Sequence, residues 1–125
     1  MTAEQPVGIF DSGVGGLSVL REIRRELPAE DLLYVADSGY APYGEQSSEA
    51  ITHRAIALAQ FLIRASAKAI VVACNTATGA AVETLRSRFP VPIVAMDPAF
   101  KPATLHTKSA VVFVLSTRQT LSGPK

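Results

Sequence analysis

The chain has 125 residues, of which 48% are hydrophobic, with 12 basic and 11 acidic side chains, a formal net charge of +1 and a single cysteine. That size and composition fit one compact domain with its own core, and they exclude a disordered chain. The near-neutral balance excludes a basic field for nucleic acid or anionic lipid, and no apolar run nears the ~20 residues of a membrane span.

The opening MTAEQPVGIF has neither the basic nor the apolar region of a signal peptide. One cysteine forbids an internal disulfide, which points to a reducing, cytoplasmic compartment. VGIF (7–10) is an apolar run ending in the turn signal DSG, as a short strand would be. Leu17, Leu20, Ile23 and Leu27 then recur at helical spacing among charged residues, up to Pro28, and predict a helix with one apolar face. LLYVA (32–36) is a second strand, again followed by DSG. Residues 37–47, punctuated by Gly39, Pro42 and Gly44, read as a loop. A helix is expected over about 48–65, with Ile51, Ala55, Leu58, Ala59 and Leu62 as its core stripe.

KAIVVAC is a third strand, apolar on both faces as covered parallel strands are. TGAAVETLRSRF predicts a helix, VPIVAM a fourth strand and PAFKPATLH a short helix with Pro102 in its first turn. AVVFVLST (110–117) predicts a fifth strand, and RQTLSGPK offers no element. Strands alternating with helices in this way imply an α/β fold, a mostly parallel doubly wound sheet of four to five strands with helices on both faces.

In such sheets ligands bind beyond the carboxyl ends of the strands. Chemistry-bearing residues gather there: Asp11-Ser12-Gly13 after the first strand, Asp37-Ser38-Gly39 after the second, Cys74-Asn75-Thr76 after the third and Thr117 near the end of the fifth. GVGGLS (13–18) fails the dinucleotide pattern, because Ser18 stands where a third glycine is needed, and it lacks the Lys-Ser or Lys-Thr of a P-loop. Asp11 at the mouth of that turn would also repel a pyrophosphate. Its glycines read instead as tight strand-to-helix packing. His53 and His106 have no ligand spacing around Cys74, so no zinc site is expected, and no Gly-x-Ser-x-Gly elbow is present.

A free cysteine is commonly an inert core residue. Cys74, however, stands just before a predicted helix with Asn75 or Thr76 as its cap. A helix N-terminus lowers a thiol pKa and offers N–H groups to a carboxylate. Asp11, from the neighbouring strand end, is placed to orient an ammonium group or to help move protons at the thiol. The set suits a small amino or dicarboxylic acid.

GIFDSGVGGLSVLREI, YVADSGYAPYGEQS and VVACNTATGAAVETLR, in this order, closely resemble the N-terminal part of the bacterial glutamate racemase family, within the aspartate/glutamate racemase group. VPIVAMDPAFKPA and AVVFVLSTRQT resemble it more loosely. The resemblance implies interconversion of L- and D-glutamate for peptidoglycan, with no cofactor and no metal, by two cysteines acting on opposite faces of the substrate. It makes Cys74 the first of these, with Asp11 and Ser12 beside it at the substrate's amino end. Pro42, Tyr43 and Gly44 would line the pocket, Asn75 and Thr76 would hold a carboxylate, and Thr117 and Thr120 would be weaker candidates near an inter-domain hinge. Glutamate would be the small-molecule partner, and the family commonly forms homodimers.

The chain departs from the family in lacking its second cysteine, which lies in a Gly-Cys-Thr-His motif. Residues 1–108 are therefore expected to form the racemase-like domain and 109–125 to resemble the opening of a second one, with no useful racemase activity in this chain alone. A non-catalytic dicarboxylate-binding module and a racemase for aspartate or a related amino acid are the alternatives.

Overall fold

The computed structural model describes residues 4–122. Four parallel strands form one sheet: β1 (Val7–Asp11), β2 (Leu32–Ala36), β3 (Ala69–Val72) and β4 (Ile93–Ala95), in the order β2-β1-β3-β4. The helices between them are α1 (Leu17–Glu26), α2 (Ser48–Arg64) and α3 (Asn75–Arg88); α4 (Phe100–His106) and α5 (Arg118–Ser122) follow. Parallel strands need long crossovers, and right-handed crossovers in this order carry α1 to one face of the sheet and α2 and α3 to the other. The expected fold is therefore the observed one, with four strands. No helix among the described residues is long and apolar enough to cross a membrane.

The two faces are unequal. Gly8 of β1 packs against Leu62, where a Cβ would sit 3.0 Å from the leucine's Cδ1, and successive strand residues alternate faces, so Phe10 points the same way. Phe10, Ile70 and Val72 form one core with Ile51, Ala55, Leu58 and Leu62 of α2 and Ala77, Ala81 and Leu85 of α3. The α2 stripe is the one the sequence predicts. The α1 stripe behaves otherwise: no residue of α1 is buried, Leu20 and Ile23 are half-buried, and Leu17 and Leu27 are about half exposed.

Two expectations need correction. Residues 111–117 form no strand, and Val111, Phe113 and Leu115 stand exposed. Residues 118–122, read as featureless, form α5, which packs on α3 and on the 43–45 turn. The end of the tail, 123–125, lies outside the described residues. The predicted loop at 37–47 contains two short 3₁₀ turns, Ser38–Tyr40 and Tyr43–Glu45, and ends at Ser47, whose Oγ accepts the Ala50 N–H to cap α2.

Candidate functional site

β1 ends on Asp11, whose buried carboxylate organises the turn into α1. Its Oδ1 accepts the Ser12 N–H at 2.7 Å and its Oδ2 accepts the Gly16 N–H at 2.6 Å. The close approach explains one glycine: a Cβ on Gly16 would sit 2.8 Å from Asp11 Cβ and 2.9 Å from the Tyr34 hydroxyl. Tyr34, on β2, braces the same turn by donating to the Gly13 carbonyl at 2.9 Å. Burial, followed by the charges of Asp11 and Cys74, pushes the Tyr34 phenol pKa up, which keeps it a donor.

β3 delivers Cys74 beside this turn. The sequence suggests Asn75 or Thr76 as the cap of α3, but the cap is Cys74 itself, whose Sγ accepts the Ala77 N–H at 3.4 Å. The thiol donates to Ser12 Oγ at 3.7 Å, and the Ser12 hydroxyl lies 3.4 Å from Asp11 Oδ1. A thiol, a hydroxyl and a carboxylate thus stand in a row, an arrangement able to pass a proton. The expected lowering of the thiol pKa does not occur. Burial raises it and outweighs the Ala77 N–H and the Ser12 hydroxyl, while the charge of Asp11 adds to the rise. The helix end steadies a thiolate, but desolvation costs more.

In front of Cys74 lies a hollow of about 390 Å³, lined among others by Asp11, Asn75, Thr76, Met96, Leu115, Thr117 and Thr120. Its far wall is the tail. Thr76, Thr117 and Thr120 form a triangle of hydroxyls, with Oγ1–Oγ1 distances of 2.9 Å (76–117), 3.0 Å (76–120) and 2.9 Å (117–120). Thr117 also caps α5, accepting the Thr120 N–H at 3.2 Å. Each hydroxyl has one proton, so the closed triangle uses all three. The donors open to an anion are the free N–H groups at the start of the 14-residue α3, where the helix dipole favours negative charge, and the hydroxyls join them only when a bond of the triangle is exchanged.

Pro42 and Gly44 do not line this hollow. They line an adjacent one of about 620 Å³, which shares Thr117 and includes Arg118 and Gln119. The Tyr43 side chain points inward and is only 2% exposed, its hydroxyl donating to Asp37. Asp37 also receives a two-pronged ion pair from Arg54, Nε–Oδ2 2.9 Å and Nη2–Oδ1 2.7 Å. Burial alone would raise the Asp37 pKa, but the Arg54 and Tyr43 donors and the Arg54 charge outweigh it and hold the carboxyl below its usual range. Sequence reading placed Asp37 on this edge but missed Arg54 and Tyr34. The available signal was a carboxylate at a strand end with no countercharge nearby in sequence. His53 and His106 are both exposed.

The Asp/Glu/Hydantoin racemase family model matches residues 7–124. A glutamate racemase of Methylococcus capsulatus is 58% identical over 122 residues, covering 98% of this chain and 45% of its own length. One from Ectopseudomonas mendocina is 59% identical over 124 residues, covering 98% and 47%. The chain thus spans less than half the length of these curated relatives. Among solved structures, Escherichia coli glutamate racemase in complex with L-glutamate and the activator UDP-MurNAc-ala superposes with a TM-score of 0.87 at 41% identity, covering 94% of this chain and 45% of that one. The Francisella tularensis enzyme in complex with D-glutamate gives 0.71 at 36%, covering 75% and 36%.

Proposed function

Because this chain belongs to the Asp/Glu/hydantoin racemase family, we propose that the hollow before Cys74 binds glutamate and that Cys74 exchanges a proton with its α-carbon from one side. The observation that carries the reading is the row Cys74–Ser12–Asp11, whose two ends, Cys74 and Asp11, line a hollow shared with the start of α3 and with Thr117 and Thr120. A substrate carboxylate is received by the first N–H groups of α3 beside Asn75, and by Thr76, Thr117 and Thr120 as it replaces bonds of their triangle. Asp11 faces the ammonium end, and Ser12 links it to the thiol. The Cys74 thiolate takes the α-proton, S–H forming as the C–H electron pair stays on carbon; the thiol proton exchanges with solvent, and the thiol returns one to the same face of the carbanion. Ser12 and Asp11 carry the thiol proton away when the thiolate must form. Pro42 and Gly44 act from the neighbouring hollow through Thr117, while Tyr43, turned inward onto Asp37, acts by holding their turn in place. By the family resemblance the chemistry is cofactor-independent, the setting cytoplasmic and the product D-glutamate for peptidoglycan.

Inversion needs the new proton to arrive on the face opposite the departing one, and this chain has one cysteine. Losing a positioned acid or base costs about 100- to 10,000-fold. The 125-residue chain alone therefore exchanges the α-proton slowly and with retention of configuration. Incubation with L-glutamate in heavy water, followed by assay of deuterium and chirality, tests this. Deuterated L-glutamate that disappears with Cys74→Ser supports the reading. Rapid D-glutamate formation shows a second acid/base group and overturns the one-sided mechanism. Glutamate binding by calorimetry with no exchange favours the non-catalytic binding module, which the single thiol would also fit. Preference for aspartate in the same assays overturns the choice of substrate.

A further inference from the structure

Arg54 lines neither hollow, yet it stands at the head of a chain of contacts that reaches the Cys74 hollow. Its guanidinium grips both oxygens of Asp37 and lies 3.6 Å over the centre of the Tyr40 ring. Asp37 in turn receives the Tyr43 hydroxyl. Asp37 at the start of the 38–46 loop and Tyr40 within it are therefore tied to one side chain of α2, and Tyr43 is tied to it through Asp37. The Gln46 amide closes the loop by donating to the Tyr40 carbonyl. The loop then seats the tail: a Cβ on Gly44 would come within 2.7 Å of Thr117 Cβ and Cγ2, and Gln119 Nε2 donates to the Gln46 carbonyl at 2.8 Å. Thr117, held there, bonds Thr76 beside Cys74.

We propose that Arg54 is a positioning residue for this site: by clamping Asp37 and Tyr40 it fixes the loop on which Thr117 rests, and so sets how far the Cys74 hollow opens. Its bearing on catalysis rests on the glutamate reading above, but the geometric claim does not. Only arginine supplies a planar fork for the carboxylate together with a flat face for the ring. Lysine keeps the charge and loses both.

The test is the rate at which iodoacetamide alkylates Cys74 in the full 125-residue chain, followed from neutral to alkaline pH, with thermal melting alongside. Arg54→Ala and Arg54→Lys are expected to raise the high-pH plateau about tenfold by local opening and to bring the midpoint of the pH profile down as water reaches the thiol. Lysine should recover melting temperature without recovering the slow rate. Gly44→Ala, which displaces Thr117 alone, should give a similar rise, and the double variant should be no faster than the faster single one, because both break the same chain of contacts. If Arg54→Ala does not fold, Arg54→Lys and Gly44→Ala carry the same comparison. Wild-type rates in folded Arg54 variants, rates that track melting alone, or additive effects with Gly44→Ala would each overturn the proposal. Protection of wild-type Cys74 by L-glutamate is scored separately. Its failure defeats the glutamate reading and leaves the Arg54 result to be judged by the alkylation rates.

Discussion

Two neighbouring parallel strands, β1 and β2, run out into the same tripeptide, Asp-Ser-Gly, and the structure uses the two copies differently. Asp11 spends both carboxylate oxygens on backbone N–H groups of its own turn and lies beside the thiol. Asp37 spends its oxygens on side chains from elsewhere, the Arg54 guanidinium and the Tyr43 hydroxyl. The first arrangement is local, so it shapes a rigid turn next to the candidate chemistry. The second joins α2 to a loop, so it fixes one element against another. Position in the sheet decides the outcome: β1 is central, with β3 on its other side bringing Cys74, whereas β2 is the edge strand, and its end opens towards the loop and α2.

Replacing Asp37 tests that contrast with the largest effect. Asp37→Ala leaves Arg54 and the buried Tyr43 hydroxyl without their acceptor and should cost about 3 kcal/mol, the scale for breaking one side of a buried ion pair. Thermal or urea unfolding measures it. The same carboxyl has an acid signature. Its folded pKa is depressed, so it contributes stability above the unfolded value of about 3.9 that is lost as pH falls through the lower folded value. The melting temperature of the wild type should therefore fall through that acid range more steeply than that of Asp37→Asn. Equal slopes would mean that the Arg54 pair does not hold the carboxyl down.

Asp11→Asn should cost less, about 1–2 kcal/mol, because one amide oxygen still accepts an N–H while the NH₂ group faces a donor. Its signature lies at the thiol. The charge of Asp11 is one of the causes that raise the Cys74 pKa, so removing it should move the midpoint of Cys74 alkylation to lower pH. Asp37→Asn lacks that direct action and serves as the control. A midpoint that stays put in Asp11→Asn would remove the electrical link between carboxylate and thiol.

The sequence exposes the sheet, the α2 face and the carboxyl edge because each follows from a local period or a strand end. Ile51, Ala55, Leu58, Ala59 and Leu62 repeat at helical spacing, and all five are buried. Asp11, Cys74 and Thr76 reach one hollow because parallel strands put their ends at one edge. What stayed hidden depends on contacts distant in sequence. Arg54 reaches back 17 residues to Asp37, and Tyr34 reaches back 21 to Gly13. Nothing in either residue's neighbourhood announces the partner. The Cys74 pKa was misjudged for a related reason. A helix end is visible in sequence, but the depth of burial that opposes it is a property of the packed whole.

The 110–117 segment shows the limit of propensity. AVVFVLST is rich in β-branched and aromatic residues, yet β-propensity describes how a side chain fits a pleated, half-buried surface, and among the described residues no strand lies alongside to make one. Leu115 is fully exposed and Phe113 is 93% exposed. They contribute nothing to the core, so Phe113→Ser and Leu115→Ser should each change stability by less than about 0.5 kcal/mol, the smallest effect among these tests. Their consequence should appear between molecules. An uncharged, exposed apolar run favours association with another copy, so light scattering at rising concentration should show the wild type self-associating more than the double serine variant. A substantial loss of melting temperature in either single variant would mean that the segment packs against the domain. That would put this tail on the same footing as α5, held in place by contacts rather than left without them.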